Sequence, residues 1–278
     1  MRISLFSLFR DSEKYIYDCL SSLEELEKST NASFEYFFYE NDSLDKTAQI
    51  LSQWMKSRKG EFLSETLNVS KFGSTLQKER MLLLSNLRNK MAALDQNKDS
   101  EFSVILDSDV NFKSNIINDF LKFKDLDFSM LTSNIRQDVP CKMGSGSNDS
   151  YYDSSILYDK NGIRCMTWSD NPFYDTADRD LYEQSKPIQV NRAFGSFAFL
   201  KTKHFSKCSW SSRGESEHLS FCDQLSKLAP IYFIPSIRPT VSIKQKTWDH
   251  EDRVITHQKH LLESKWNRFL WKNKIQSL

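Results

Sequence analysis

The stretch Ser103-Val-Ile-Leu-Asp-Ser-Asp-Val-Asn-Phe112 decides the reading of this chain. Val104, Ile105 and Leu106 form an aliphatic run of the length and branching expected of a short buried strand. The run stops at two carboxylates, Asp107 and Asp109, with only Ser108 between them. In an open α/β sheet, ligands bind beyond the carboxyl ends of the strands, so these acids are expected where a substrate sits. Two hard oxygen donors suit Mg²⁺ or Mn²⁺, which keep positions for water and for substrate phosphates. An Asp-x-Asp alone can also be a plain strand-end turn, so the flanking sequence has to carry the rest.

Upstream, the same grammar repeats. Residues 3–9 read as a strand that runs into Arg10-Asp11-Ser12, where Asp11 or Ser12 can cap a helix with Ile16, Cys19, Leu20, Leu23 and Leu26 on one face. Residues 34–39 read as an aromatic strand ending in Glu40-Asn-Asp-Ser-Leu-Asp-Lys-Thr47, with Ser43 as the cap of the next helix. A third strand is expected between 62 and 69 and a long helix over about 75–94, whose later turns carry Arg80, Arg88, Asn89 and Lys90. Strands alternating with helices, each strand ending in polar residues, imply a mostly parallel sheet with helices on both faces.

Downstream, residues 128–132 read as a strand, and 138–187 as a long polar stretch of the kind that forms functional loops. Arg192-Ala-Phe-Gly-Ser-Phe-Ala-Phe-Leu200 reads as one strand with a glycine where a backbone or ligand approaches. A helix is expected over 215–227, opened by Glu215, Glu217 and His218, and a short strand over 231–234 closed by Pro235. Acids at a helix start are favoured by its dipole, but Glu217 followed by an apolar turn could also serve as a general base.

Composition bounds the function. A chain of 278 residues with 39% hydrophobic and 27% charged residues is an ordinary globular protein with room for a real core. A formal net charge of +1 argues against a broad nucleic-acid surface. Cys19, Cys141, Cys165, Cys208 and Cys222 are odd in number and widely spaced, which favours free thiols over a disulfide framework. With no stretch of the ~20 apolar residues a membrane span needs, a cytoplasmic protein is expected.

The order of these pieces resembles the GT-A fold glycosyltransferases, with a loose likeness to the capsule-associated α-mannosyltransferases. Arg10-Asp11 is similar to the family's first loop, Glu40 to Thr47 to its Asp-Asp-x-Ser-x-Asp-x-Thr motif, Leu87-Arg88-Asn89 to its Ala-Arg-Asn, and Asp107-Ser-Asp109 to its Asp-x-Asp. Phe194 to Leu200, then Glu217-His-Leu-Ser-Phe-Cys222 with Ile231-Tyr-Phe-Ile-Pro235, resemble the acceptor-side strand and the Glu-Asp helix that follows it. The resemblance implies a Rossmann-like α/β sheet in a domain spanning 1–245, with a nucleotide-sugar half at 1–112 and an acceptor half at 113–245. It implies transfer of a sugar from a UDP- or GDP-sugar donor to a glycan hydroxyl, with Mn²⁺ or Mg²⁺ as cofactor.

For donor binding it implies Arg10, Glu40, Asp45, Arg88, Asp107 and Ser108, with Glu40 at the base. Asp107 and Asp109 would hold the metal, completed by a downstream histidine such as His250. Gly195, Ser196 and Trp168 would face the acceptor, and Glu217 or His218 would take the acceptor's proton in an inverting mechanism. Two other classes share part of the pattern. A nucleotidyltransferase usually opens on a glycine-rich phosphate loop, which residues 9–13 lack, and a binding protein could keep the fold without the chemistry. The tail, 246–278, is expected to be a basic amphipathic helix that packs on the domain or contacts a membrane surface peripherally.

Overall fold

The computed structural model describes residues 1–72, 77–137, 151–153, 155–166, 169–212, 216–241 and 269. The elements in chain order are β1 (Arg2–Phe9), α1 (Ile16–Ser29), β2 (Ser33–Asn41), α2 (Thr47–Met55), β3 (Gly60–Glu65), α3 (Lys78–Ala93), β4 (Phe102–Asp107) and β5 (Val110–Asn111). Then follow α4 (Ile116–Leu121), β6 (Met130–Ser133), β7 (Arg136–Gln137), β8 (Tyr158–Asp159), α5 (Thr176–Glu183), β9 (Ile188–Arg192) and β10 (Phe197–Lys201). The described elements close with α6 (Thr202–Phe205), α7 (Glu217–Leu225), β11 (Ile231–Ile234) and β12 (Thr240–Val241).

A nine-stranded sheet in the order β3-β2-β1-β4-β10-β6-β11-β9-β8 runs through the molecule. Only β10 and β9 oppose the other seven, so the α/β sheet is mostly parallel. A strand covered on both faces needs no polar alternation, and Phe102 to Leu106 of β4 are all buried accordingly. Helix α1 supplies Ile16, Cys19, Leu20, Leu23 and Leu26 to the core at helical spacing. On the other side of β4 the core is aromatic, with Phe120 stacked on Phe197 and Phe199 at ring separations of 5.8 and 5.4 Å.

A small sheet, β5-β12-β7, sits against the end of β4. It brings Thr240 and Val241 opposite Asn111 and Val110, so the chain at Val241 lies beside the residue that follows Asp109.

Several expectations change. The stretch 192–200 is not one strand: β9 ends at Arg192, and Gly195 and Ser196, at φ 69° and 54°, make a left-handed turn into β10. Neither Asp11 nor Ser43 caps a helix, because both side chains are spent joining the two loops that follow β1 and β2. The polar stretch 138–187 holds β8 and α5 within its described part. Trp168, Cys141, His250 and nearly all of the tail lie outside the described residues, while Cys19, Cys165, Cys208 and Cys222 are free thiols. Among the described residues no helix is long and apolar enough to cross a membrane.

Candidate active site

The polar ends of β1, β2, β3 and β4 all point to one edge of the sheet, and strained backbone gathers there. Asp11, Asp42, Asn68 and Ser196, four of the six described non-glycine residues with positive φ, lie in the loops of this edge. Such conformations cost of order 1–3 kcal/mol each and persist where the surroundings fix them.

What fixes them is a web of carboxylates. Asp11 accepts from the Leu44 amide at 2.8 Å, and its own amide donates to Ser43 Oγ at 2.9 Å. Asp45 accepts from the amides of Glu13 and Thr47 at 3.0 and 2.9 Å, which locks the β2–α2 loop onto the β1–α1 loop. Asp42 accepts from the consecutive amides of Leu67, Asn68 and Val69, and the Val69 carbonyl then accepts from the Arg10 guanidinium at 2.6 Å. Glu40 is buried, with one oxygen on the Ser43 amide at 2.8 Å and the other on the Ser64 hydroxyl. Arg10, Glu40 and Asp45 therefore all build the walls of this edge.

Beneath the Asp-x-Asp lies a buried ion cluster. Arg88, on α3, donates from Nε to Glu217 of α7 at 3.0 Å and from Nη2 to Asp107 at 3.2 Å. Its guanidinium carbon stands 5.3 Å from the Phe194 ring, on which His218 stacks at 3.8 Å. Asn89, the next residue, is a backbone clamp: its amide bonds both the amide and the carbonyl of Trp210 at 2.8 Å.

The electrostatics follow from this packing. Burial works against the Arg88 charge, but Asp107 and Glu217 more than offset it and hold the guanidinium protonated. Burial alone would raise the Glu217 carboxyl; His218 and Arg88 outweigh it and hold it well below the ordinary range. Burial and then Arg88 push the His218 imidazole down to about 3 against the pull of Glu217, so it is neutral near pH 7 and Arg88 is the charge that counts there. Glu217 and His218, expected as base candidates, are only 3% and 4% exposed and face this cluster.

Asp107 is different, with about a third (31%) of its side chain exposed. Burial, then the neighbouring Asp109, raise its carboxyl despite Arg88. Asp107 and Asp109, two hard oxygen donors one residue apart at the strand end, are of the kind that suits a divalent cation. Among the described residues no three ligand-type side chains converge.

The Gly195–Ser196 turn closes the site from β10. The Ser196 carbonyl accepts from the Asp107 amide at 2.9 Å, and the Gly195 carbonyl accepts from Ser133 Oγ at 2.6 Å. A Cβ on Gly195 would lie 2.4 Å from the Ser133 carbonyl oxygen, so only glycine fits. Sequence reading missed the Asp42 claw and the Arg88–Glu217 pair, whose members are 129 residues apart. A polar cavity of about 410 Å³, with Lys160, Lys227 and Pro230 in its lining, opens at the opposite edge where β11 begins.

A family model described as Cryptococcal mannosyltransferase 1 matches residues 8–229. This chain belongs to that family. The match takes in the Asp107–Asp109 strand end, Arg88 and Glu217, so the whole described cluster lies within it. Among solved structures, S. aureus TarS 1–349 matches at a TM-score of 0.53 and 15% identity, over 99% of this chain and 73% of that one. The mannosyltransferase PcManGT from Pyrobaculum calidifontis, in complex with GDP-Man and Mn²⁺, matches at 0.52 and 11%, over 95% and 62%. GalNAc-T7 with UDP, GalNAc and Mn²⁺ matches at 0.53 and 11%, over 87% and 44%. At these identities the likeness shows the fold, which is the GT-A glycosyltransferase fold. None of the curated proteins matches the sequence.

Proposed function

We propose that this protein transfers a sugar from a nucleoside-diphosphate donor to a hydroxyl of a glycan acceptor, with Mn²⁺ or Mg²⁺ at Asp107 and Asp109. The observation that carries the reading is the strand end itself: two carboxylates at the centre of the sheet edge, with the Arg88 guanidinium paired to Asp107 behind them. The family supports it, and so do the donors and metals bound by proteins of the same fold, GDP-Man and Mn²⁺ in PcManGT and UDP-GlcNAc in TarS. Since the family is one of mannosyltransferases, GDP-mannose is the first donor to try.

The roles follow from the geometry. A bound divalent ion would stabilise the charge that develops on the departing diphosphate. Asp109 and the Asp107 oxygen turned from Arg88 would hold it, and Ser108 sits between them. His250 lies outside the described residues, and Val241, nine positions before it, pairs with Val110, the residue that follows Asp109. Arg88 keeps Asp107 oriented, and Glu217 keeps Arg88 in place. Arg10, Glu40 and Asp45 shape the wall against which the nucleotide rests. Gly195 and Ser196 present a fixed backbone to the sugar side.

Glu217 acts through Arg88 in this reading and takes no proton from the acceptor, because a buried carboxylate held ionised by a guanidinium is a poor proton acceptor. Calorimetric titration of GDP and UDP with and without Mn²⁺, on the natural chain and on Asp109→Asn, tests the site. Metal-dependent binding of one nucleotide that the variant loses supports it. Binding that is absent, or unchanged by metal and by the variant, contradicts it.

A further inference from the structure

Residues 209–211, Ser-Trp-Ser, lie between α6 and α7 outside any helix or strand, yet each backbone N–H and carbonyl they carry is met by a side chain. Gln224 of α7 accepts from the Ser209 amide at 3.2 Å and donates to the Ser209 carbonyl at 2.8 Å. Ser220, one turn earlier on α7, accepts from the Ser211 amide at 3.0 Å and donates to the Ser211 carbonyl at 2.5 Å. Between them, Trp210 is gripped in the same two-pronged way from α3, by Asn89, with both bonds at 2.8 Å. Ser209 and Ser211 are exposed while Trp210 is buried, its ring stacked on Phe221 of α7 at 4.2 Å.

The segment is therefore a bridge between α3 and α7, and it is built where the ion cluster is. Asn89 follows Arg88 on α3, while Glu217, Ser220, Phe221 and Gln224 stand at i, i+3, i+4 and i+7, one face of α7. That face holds both the Arg88 counter-ion and the bridge. Arg88 has little slack, because its bond to Asp107, at 3.2 Å, is at the long end of the hydrogen-bond range and a small shift of α3 away from β4 loses it. The ion pair with Glu217 does not by itself set the spacing of the helices. Charges attract over a range of separations, whereas a two-pronged amide pairing is satisfied at only one.

We propose that Asn89 is a positioning residue for the transfer: through the 209–211 bridge it fixes α3 against α7, and so holds Arg88 in its bond to Asp107, one of the two carboxylates assigned to the metal. The inference rests on the donor reading above. A carboxylate that loses its guanidinium partner is free to rotate, and a metal-bound diphosphate then meets a ligand that is no longer set in place. Neither Asn89 nor the bridge touches the donor; their effect reaches the site through Arg88.

The test uses Asn89→Leu, which keeps the shape of the side chain and loses both bonds, and Ser220→Ala, at the far end of the bridge, which serves if the first variant folds poorly. Leu26→Ala, in the core of α1, reports what lost stability does by itself. Two readouts are compared: exchange of the Arg88 Nε–H with water, followed by NMR, and binding of GDP and UDP in Mn²⁺ by calorimetry. Relative to Leu26→Ala, the bridge variants are expected to speed the Nε–H exchange at least about tenfold and to weaken the metal-dependent nucleotide about fivefold. Exchange no faster than in Leu26→Ala overturns the bridge's hold on Arg88, and faster exchange with unchanged nucleotide binding overturns its part in the transfer. If the natural chain binds neither nucleotide, the donor reading fails and the claim for the transfer falls with it, whereas the exchange result still decides whether the bridge holds Arg88.

Discussion

Changing Glu217 to Gln asks whether this residue serves the structure through Arg88 or serves the chemistry directly. The side chain is 4% exposed, and its Oε1 lies 3.0 Å from the Arg88 Nε, with Arg88 itself 7% exposed. Removing one member of a buried pair typically costs 3–5 kcal/mol, because the other charge is stranded. Here Arg88 keeps Asp107 at 3.2 Å, and a glutamine oxygen can still accept from Nε. The expected cost is therefore lower, about 2–4 kcal/mol. For a chain of this size that lowers the thermal midpoint by roughly 5–10 °C. Adding Arg88→Met removes the stranded charge, so the double variant should be less destabilised than the sum of the singles, with a coupling of about 1–3 kcal/mol. Scanning calorimetry of the four chains reads this directly. A Glu217→Gln chain that melts within about 1 °C of the natural one, yet has lost sugar transfer, would refute the counter-ion role and restore Glu217 as a base.

Three further outcomes are expected. His218 has its folded value lowered to about 3 from an ordinary 6.5, so below pH 6.5 the unfolded chain takes up a proton that the folded chain refuses. Stability should fall by about 2 kcal/mol between pH 7 and pH 5 from this residue alone, and urea unfolding of His218→Gln should show that part of the loss removed; an identical loss in the variant refutes it. Glu217, whose folded value is depressed to about 2, adds loss of the same sign only below about pH 4.5. Gly195→Ala places a methyl 2.4 Å from the Ser133 carbonyl oxygen at φ 69°, so its cost should exceed the ~1–2 kcal/mol of a left-handed alanine alone, and an unchanged thermal midpoint would contradict it. Asp42→Ala frees the amides of Leu67, Asn68 and Val69, which should then exchange with deuterium faster while the amides of β4 do not.

Much of this was legible in the chain. The aliphatic run that ends in Asp107 is a strand because nothing in it is polar enough to face water, and its burial on both faces is the reason. The loops after β1 and β2 also declared themselves, since Arg10-Asp11-Ser12 and Glu40 to Thr47 interrupt apolar runs with groups that need partners. The partners themselves were not legible: Asp11 meets Leu44, and Asp42 meets Leu67, through contacts that local spacing does not encode. Residues 192–200 misled because Ala, Phe and Leu are strand-like on both sides of the turn. The reason for Gly195 is the Ser133 carbonyl, which arrives from β6. The Arg88–Glu217 pair was hidden for the same reason, each half reading as an ordinary charged helix residue until α3 and α7 are packed together.

The central claim is that Asp107 and Asp109 hold a metal-bound sugar donor for transfer. It is tested most directly by following release of GDP from GDP-mannose, and of UDP from UDP-GlcNAc, with Mn²⁺ and after chelation, for the natural chain and for Asp109→Asn. The account expects release from one donor that chelation stops and the variant abolishes. Release that survives both, or a folded chain that binds a donor and never releases its nucleotide under any metal condition, would contradict it.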